Sequence, residues 1–302
     1  MNKKPILSAK LFSALSLALT AAAGVLFTVM FSVMMVKLYE PDVHYFKLDT
    51  PWFDLLVAGV VIFGAAVALL SLLMKKGDLP TDNKIGVAVT VAGILAGAGM
   101  LYYALTDLRA ILSSEIWSET AGYVSGTGAL FANRFNTVRT LSDIFAVTAA
   151  LYFLLPAFKS RPAHPARVVC GFGGVVFFIF RLLVLYYDVS TPINSPVRMF
   201  DQMATVAAML FLVYELRFLL SDPRPRIYVP IAAVSFVMML SHAVSQMIAI
   251  FKVEGMIASL GACVFELLLA VYIFAGLSSY LVSCIRPAQN EPAEAETVST
   301  KE

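Results

Sequence analysis

Arg181, His242, Gln246, Glu266 and Asp143 can carry charge, exchange a proton or bond a solute, yet each stands in a stretch built mostly from Leu, Val, Ile, Ala, Met and Phe. An ionisable side chain in hydrocarbon costs roughly 2.5–3.5 kcal/mol on insertion scales, so it normally faces a protein interior or a wet cavity. His242 and Gln246 are four residues apart and share one helix face, which Ser235 and Ser245 extend as a polar stripe. Arg181 can pair with Glu266, and His242 can bridge to the same carboxylate. The connection after Arg181 carries Asp188, Ser190, Thr191, Asn194, Ser195 and Arg198 beside Pro192 and Pro196, and Asp201, Gln202 and Thr205 open the next apolar stretch. The expected ligand-binding set is therefore Arg181, His242, Gln246, Glu266, Asp143, Asp188 and Asp201, walling a polar pocket in the outer half of a bilayer.

Each of these residues has a plainer role open to it. Arg181 can reach outward to Asp188, Asp143 can bond Arg139 one turn earlier, and Arg217 with Arg224 can satisfy Glu215 near the inner surface. His242 alone is an ordinary hydrogen-bonded packing residue. Glu266 is harder to dismiss, because a lone deep carboxylate must be either paired or protonated.

Eight apolar stretches must position these groups. They fall at about 12–36, 54–74, 85–107, 140–158, 168–187, 201–220, 228–251 and 259–283. A hydrocarbon core roughly 30 Å thick needs about 20 apolar residues of helix, with every backbone polar group bonded inside its own segment. With 60% hydrophobic residues and a mean hydropathy of +0.82, the 302-residue chain lies outside the soluble norm. The expected fold is an all-α integral membrane protein of eight transmembrane helices. They occupy residues 1–284, and 285–302 form a short, polar, disordered cytoplasmic tail. The first stretch begins like a secretory signal, after Lys3, Lys4 and Lys10, but runs on to Val36, as an uncleaved anchor does.

Basic residues fix the expected orientation. With the N-terminus in the cytoplasm, Lys3, Lys4, Lys10, Lys75, Lys76, Lys84, Lys159, Arg161, Arg167, Arg217, Arg224, Arg226, Arg286 and Lys301 fall on the inner side. Lys37, Lys47, Arg109, Arg134, Arg139, Arg198 and Lys252 fall on the outer side, and Arg181 within a span, which accounts for all 22. Fourteen against seven is a positive-inside bias, so both termini are expected in the cytoplasm of a bacterial inner membrane. The longest outer segment, from Leu108 to Arg139, mixes Trp117, Tyr123, Phe131 and Phe135 with Ser, Thr and Gly, and fits a covering loop or an interfacial lid.

Sliding the chain by about 147 residues sets Leu38-Tyr39 on Leu185-Tyr186 and Phe53-Asp54 on Phe200-Asp201, with spans one to three on spans five to seven. Four spans per half would make two parallel repeats, 1–160 and 161–284, related by an axis along the membrane normal. Leucine matches are cheap in this composition, so chance similarity competes evenly. Gly93 and Gly97 in span three form a small-xxx-small face for close helix packing.

Enzyme signatures are sparse. His44, His164 and His242 are scattered, no His-Glu-x-x-His or Walker motif occurs, and Cys170, Cys263 and Cys284 have no metal or disulfide spacing. No cofactor or metal is expected, and nucleic-acid binding has no support. The expected function is that of a carrier for a small solute or ion, with the lipid bilayer and that ligand as partners. The alternatives are a sensor or accessory subunit acting through a protein partner, and an intramembrane enzyme.

Overall fold

A computed structural model describes residues 8–47, 51–74, 79–81, 86–112, 127–157, 163–188, 191–254 and 259–285. Among them, eight helices are long and apolar enough to cross a membrane, and the chain is an all-α, multi-pass membrane protein. They are α1 (Ala9–Lys37), α2 (Trp52–Leu73), α3 (Val87–Leu112), α4 (Thr127–Leu154, followed by a 3-10 turn Leu155–Ala157), α5 (Ala163–Tyr187), α6 (Pro196–Leu219), α7 (Pro225–Lys252) and α8 (Leu260–Ser283).

The helix starts follow local chemistry. Ser8 and Ser259 cap α1 and α8 by accepting from the backbone N–H of Leu11 and Ala262 at 3.3 Å. Pro196 and Pro225 open α6 and α7, where a missing N–H is harmless. Several helices run past the apolar stretches that announce them. A polar first turn lowers local hydropathy without breaking a helix, so α5 begins before 168 and takes Arg167 into the span, where the sequence places it on an inner loop. Likewise α4 begins at Thr127, so much of the expected loop up to Arg139 is helix.

Helices α3 to α8 form a closed ring: each packs on the next and α8 returns to α3, while α1 and α2 lie against α7. α7 is the most enclosed span. Gly93 and Gly97 let α3 approach α4 closely. A Cβ at Gly93 would stand 2.8 Å from the Phe153 carbonyl oxygen, and one at Gly97 would stand 3.0 Å from that of Ala150. α6 packs along α7, whereas among the described residues α2 and α3 share no such face.

One end of the bundle carries a short antiparallel hairpin, β1 (Tyr39–Glu40) and β2 (Tyr45–Phe46), between α1 and α2. His44 turns it with φ of 59°, in the left-handed region. The hairpin is docked on the connection between α5 and α6: Tyr45 donates to Asn194 Oδ1 at 2.5 Å, and Ser195 donates to the His44 carbonyl at 2.7 Å. This end is called the hairpin end below. Lys3, Lys4, Lys75, Lys76, Lys84, Lys159, Arg161, Arg286, Lys301, Ser190, Trp117, Tyr123 and the C-terminal tail lie outside the described residues.

Candidate functional site

The ring interior holds charge at the hairpin end. Arg181 of α5 donates through Nη2 to Glu266 Oε1 of α8, and to Asp201 Oδ1 of α6 at 3.4 Å. The other Glu266 oxygen meets His242 Nδ1 of α7 at 2.7 Å, so one carboxylate joins a guanidinium to an imidazole. Thr205, one turn along α6, donates to Asp201 at 3.4 Å. Arg181, Glu266 and His242 are buried, and Asp201 is partly so. Four helices therefore each deliver one charged or titratable group to one point.

Asp201, His242 and Glu266 each offer a ligand atom within 4.8 Å of the other two, a donor set that suits a cation. Arg181 already sits on both acids, so a cation enters only where the guanidinium withdraws. The charges decide what the cluster accepts. Two carboxylates and one guanidinium leave an excess of one negative charge, which a proton on His242 or an added cation cancels and an anion would worsen.

A second set lies across the ring. Arg139 of α4 clasps Asp107 of α3, with Nε to Oδ2 at 2.7 Å and Nη2 to Oδ1. Asp143, one turn further along α4, is buried, and neither of its oxygens has a partner among the described residues. The sequence-level expectation that Asp143 bonds Arg139 is thus not met, because Asp107 takes the guanidinium fork. Tyr103 of α3 stands between the two sets, its ring 5.6 Å from the Arg181 guanidinium carbon and its hydroxyl in the field of Asp107, Asp143 and Arg139.

The remaining expected residues are elsewhere. Gln246 is buried one turn beyond His242, and its Oε1 has no hydrogen-bond partner among the described residues. The Asp188 carbonyl accepts from Arg198 Nη1 at 2.8 Å. Arg198 also takes the carbonyls of Thr191 and Tyr186 at 2.5 and 2.8 Å, which closes the end of α5 and holds the α5–α6 connection. Ser235 bonds the backbone of Ala207 and Ile231, and Ser245 reaches Ser32 of α1 at 3.0 Å, so neither extends the cluster.

A different charged layer spans the other end. Arg167 of α5 donates through Nη2 to Glu215 Oε1 of α6 at 3.4 Å and to the hydroxyls of Tyr152 (α4) and Tyr272 (α8) at 3.3 and 3.4 Å. Tyr272 in turn donates to Glu215, and the Tyr152 ring lies 4.7 Å from the guanidinium. The sequence assigns Glu215 to Arg217 and Arg224, but Arg217 pairs with Asp222. The signal that finds this layer is the register with the other one: Arg167 lies fourteen residues before Arg181 on α5, and Glu215 lies fourteen after Asp201 on α6.

An open apolar cleft of about 370 Å³, lined by Met199, Gln202, Met203, Val206 and Leu210 of α6 and Met238 of α7, lies beside these layers and includes none of their charged groups. Comparison of the chain with family models, with curated proteins and with solved structures returns no match.

Proposed function

We propose that the protein is a carrier for a small cationic solute or ion, the proton included, with Asp201, Glu266 and His242 as the binding groups. Arg181 is the tethered cation that fills the site when the ligand is away. The observation that carries this proposal is the bridge from Arg181 to both Asp201 and Glu266, with His242 on the free oxygen of Glu266. A merely structural pair needs one acid per guanidinium, and here a second acid and an imidazole from two further helices are added. Exchange of an internal cation for an external one keeps the buried charge constant, which is what passage of an ion through a low-dielectric layer requires.

The distribution of Lys and Arg supports a plasma-membrane protein with both termini in the cytoplasm and the hairpin end outside. The site draws on α5 to α8 alone. It does not depend on two parallel four-helix repeats, and the unequal packing of α6–α7 and α2–α3 gives them no support.

One observation favours a second reading, an external sensor that acts through a partner. An aromatic column runs from the hairpin to the cluster: Phe46 to Phe31 at 6.5 Å, Phe31 to Phe200 at 4.6 Å, and Phe200 stacked on His242 at 6.2 Å. Movement of the hairpin would be felt at His242.

The test uses purified protein in liposomes, with a pH-sensitive dye inside and a series of monovalent, divalent and organic cations outside. Cation-dependent proton flux is expected, and it is lost in Asp201→Asn and Glu266→Gln but kept in Asp222→Asn. Cation-dependent thermal stabilisation without flux selects the sensor. If neither appears for any cation, or if both variants fail to insert, the cluster is structural and the proposal is wrong.

A further inference from the structure

The second charged set is independent of the first and carries its own inference. Arg139 has its planar edge on Asp107, one N–H to each oxygen, so that pair is balanced. Asp143 is then left over. Its side chain is buried, with the residue 4% exposed, and no described group donates to either oxygen. The group nearest in chemistry is the Asp107 carboxylate, which has no proton to offer in its ionised form.

We propose that Asp143 and Asp107 hold one proton between them, as a carboxylic acid bonded to a carboxylate, and that this is an exchangeable proton site in the membrane. Two facing carboxylates cannot both ionise in a low-dielectric interior, and an acid with one proton both removes the excess charge and supplies the missing donor. Every described titratable or charged group around Asp143 fits this state. From α3, Asp107 and Tyr103 face it; from α4 itself, Arg139, already committed. From α5 the neighbouring contact is apolar, Phe180 stacked on Phe145 at 5.5 Å, and Arg181 is reached only past the Tyr103 ring. Among the described residues, Arg139 is the one cation beside Asp143.

Tyr103 gives this site a neighbour. Its ring touches Arg181, so loss of the proton from the Asp143–Asp107 pair adds negative charge on the α3 side of the guanidinium while Glu266 and Asp201 hold the other side. Protonation of the pair therefore weakens the pull on Arg181 away from Glu266, and deprotonation strengthens it. A proton bound at one set and a cation bound at the other favour opposite positions of Arg181, so each opposes the other.

Dicyclohexylcarbodiimide tests the site, because this apolar reagent adds to protonated carboxyl groups in membranes and rearranges to a stable N-acylurea. The full-length protein in liposomes at neutral pH is treated, digested and mapped by mass spectrometry. The adduct is expected on Asp143 or Asp107 and is lost in Asp143→Asn, whose amide can still donate to Asp107 and so preserve the fold. The wild-type infrared spectrum gives a second readout: a carboxylic acid carbonyl band, shifted in D2O and lost in the same variant. An adduct on Glu266 or Asp201 alone, no adduct, or a wild-type protein without that band overturns the proposal. The cation site is read by its own flux measurement, so failure here leaves it to that test.

Discussion

Two layers of buried charge stand on the same two helices, and they are built to the same spacing. Arg167 and Arg181 are fourteen residues apart on α5, and Asp201 and Glu215 are fourteen apart on α6, so both antiparallel pairs fall in one register. Fourteen residues are close to four turns, or about 21 Å, which separates the layers by most of a hydrocarbon core. The layer remote from the hairpin has one guanidinium and one carboxylate, with two tyrosine hydroxyls around them. The hairpin-end layer has two guanidinium groups, four carboxylates and an imidazole. One layer is balanced and the other is not.

Hydrogen bonding alone would not separate them. Among the described residues, Glu215 Oε2 and Arg167 Nε also lack hydrogen-bond partners, as do both oxygens of Asp143. An unmade hydrogen bond costs about 1–3 kcal/mol, whereas an unpaired buried charge costs several. Charge arithmetic therefore decides: the balanced layer is a tie between α4, α5, α6 and α8, and the unbalanced layer must take up two positive charges, as protons or cations, to reach neutrality.

The largest effect that can break this contrast lies in the balanced layer. Arg167→Met leaves Glu215 buried with only hydroxyls and should destabilise the protein by about 3–5 kcal/mol, measured by denaturant titration in mild detergent. Adding Glu215→Gln should recover most of that loss, since removing both charges of a pair is far milder than removing one. If Arg167→Met is instead tolerated as well as Asp143→Asn, the two layers do not differ in kind.

The hairpin-end layer was half legible. Arg181, His242 and Glu266 stand out because each interrupts a long apolar run, and helix periodicity gives His242 a face. Asp201 is visible only as the opening of a span, and Asp107, Arg139 and Tyr103 sit near span ends, where polar residues are ordinary and carry no signal. Their meeting depends on the register of α3 against α4, which two glycines set by letting the backbones touch, and no periodicity reports that. The balanced layer was missed because hydropathy begins α5 after Arg167, although the helix has already started. The hairpin has strands of two residues each, too short for any alternation to show.

A smaller effect sharpens the comparison by straining the α3–α4 contact that both layers share. Gly97→Leu places a side chain against Leu154 and the Ala150 carbonyl, so α3 and α4 must part or slide. Overpacking of this kind costs about 1–3 kcal/mol. The consequence should appear at Asp107, Arg139 and Asp143, which bridge those two helices, while Arg167 and Glu215 stay joined through α5 and α6. Carbodiimide labelling of the pair should change in this variant, and its loss of stability should not simply add to that of Arg167→Met, because Tyr152, which Arg167 bonds, stands between Ala150 and Leu154 on α4.

The smallest effect belongs to an ion pair outside both layers. Arg217 and Asp222 lie at the end of α6, with side chains 25% and 65% exposed, and Arg217 also takes the Asp222 carbonyl at 3.1 Å. Water screens such a pair and already solvates either partner alone, so Arg217→Gln should change stability by less than about 1 kcal/mol. Added salt should reduce even that difference, since screening acts on exposed charges more than on buried ones. The same guanidinium–carboxylate chemistry would then span three outcomes along one helix: nearly nothing at Asp222, a fold-level loss at Glu215, and exchange of a bound cation at Asp201. A denaturant series showing equal losses for Arg217→Gln and Arg167→Met would mean that burial does not set the worth of these pairs, and the distinction between a tie and a site would have to rest on charge count alone.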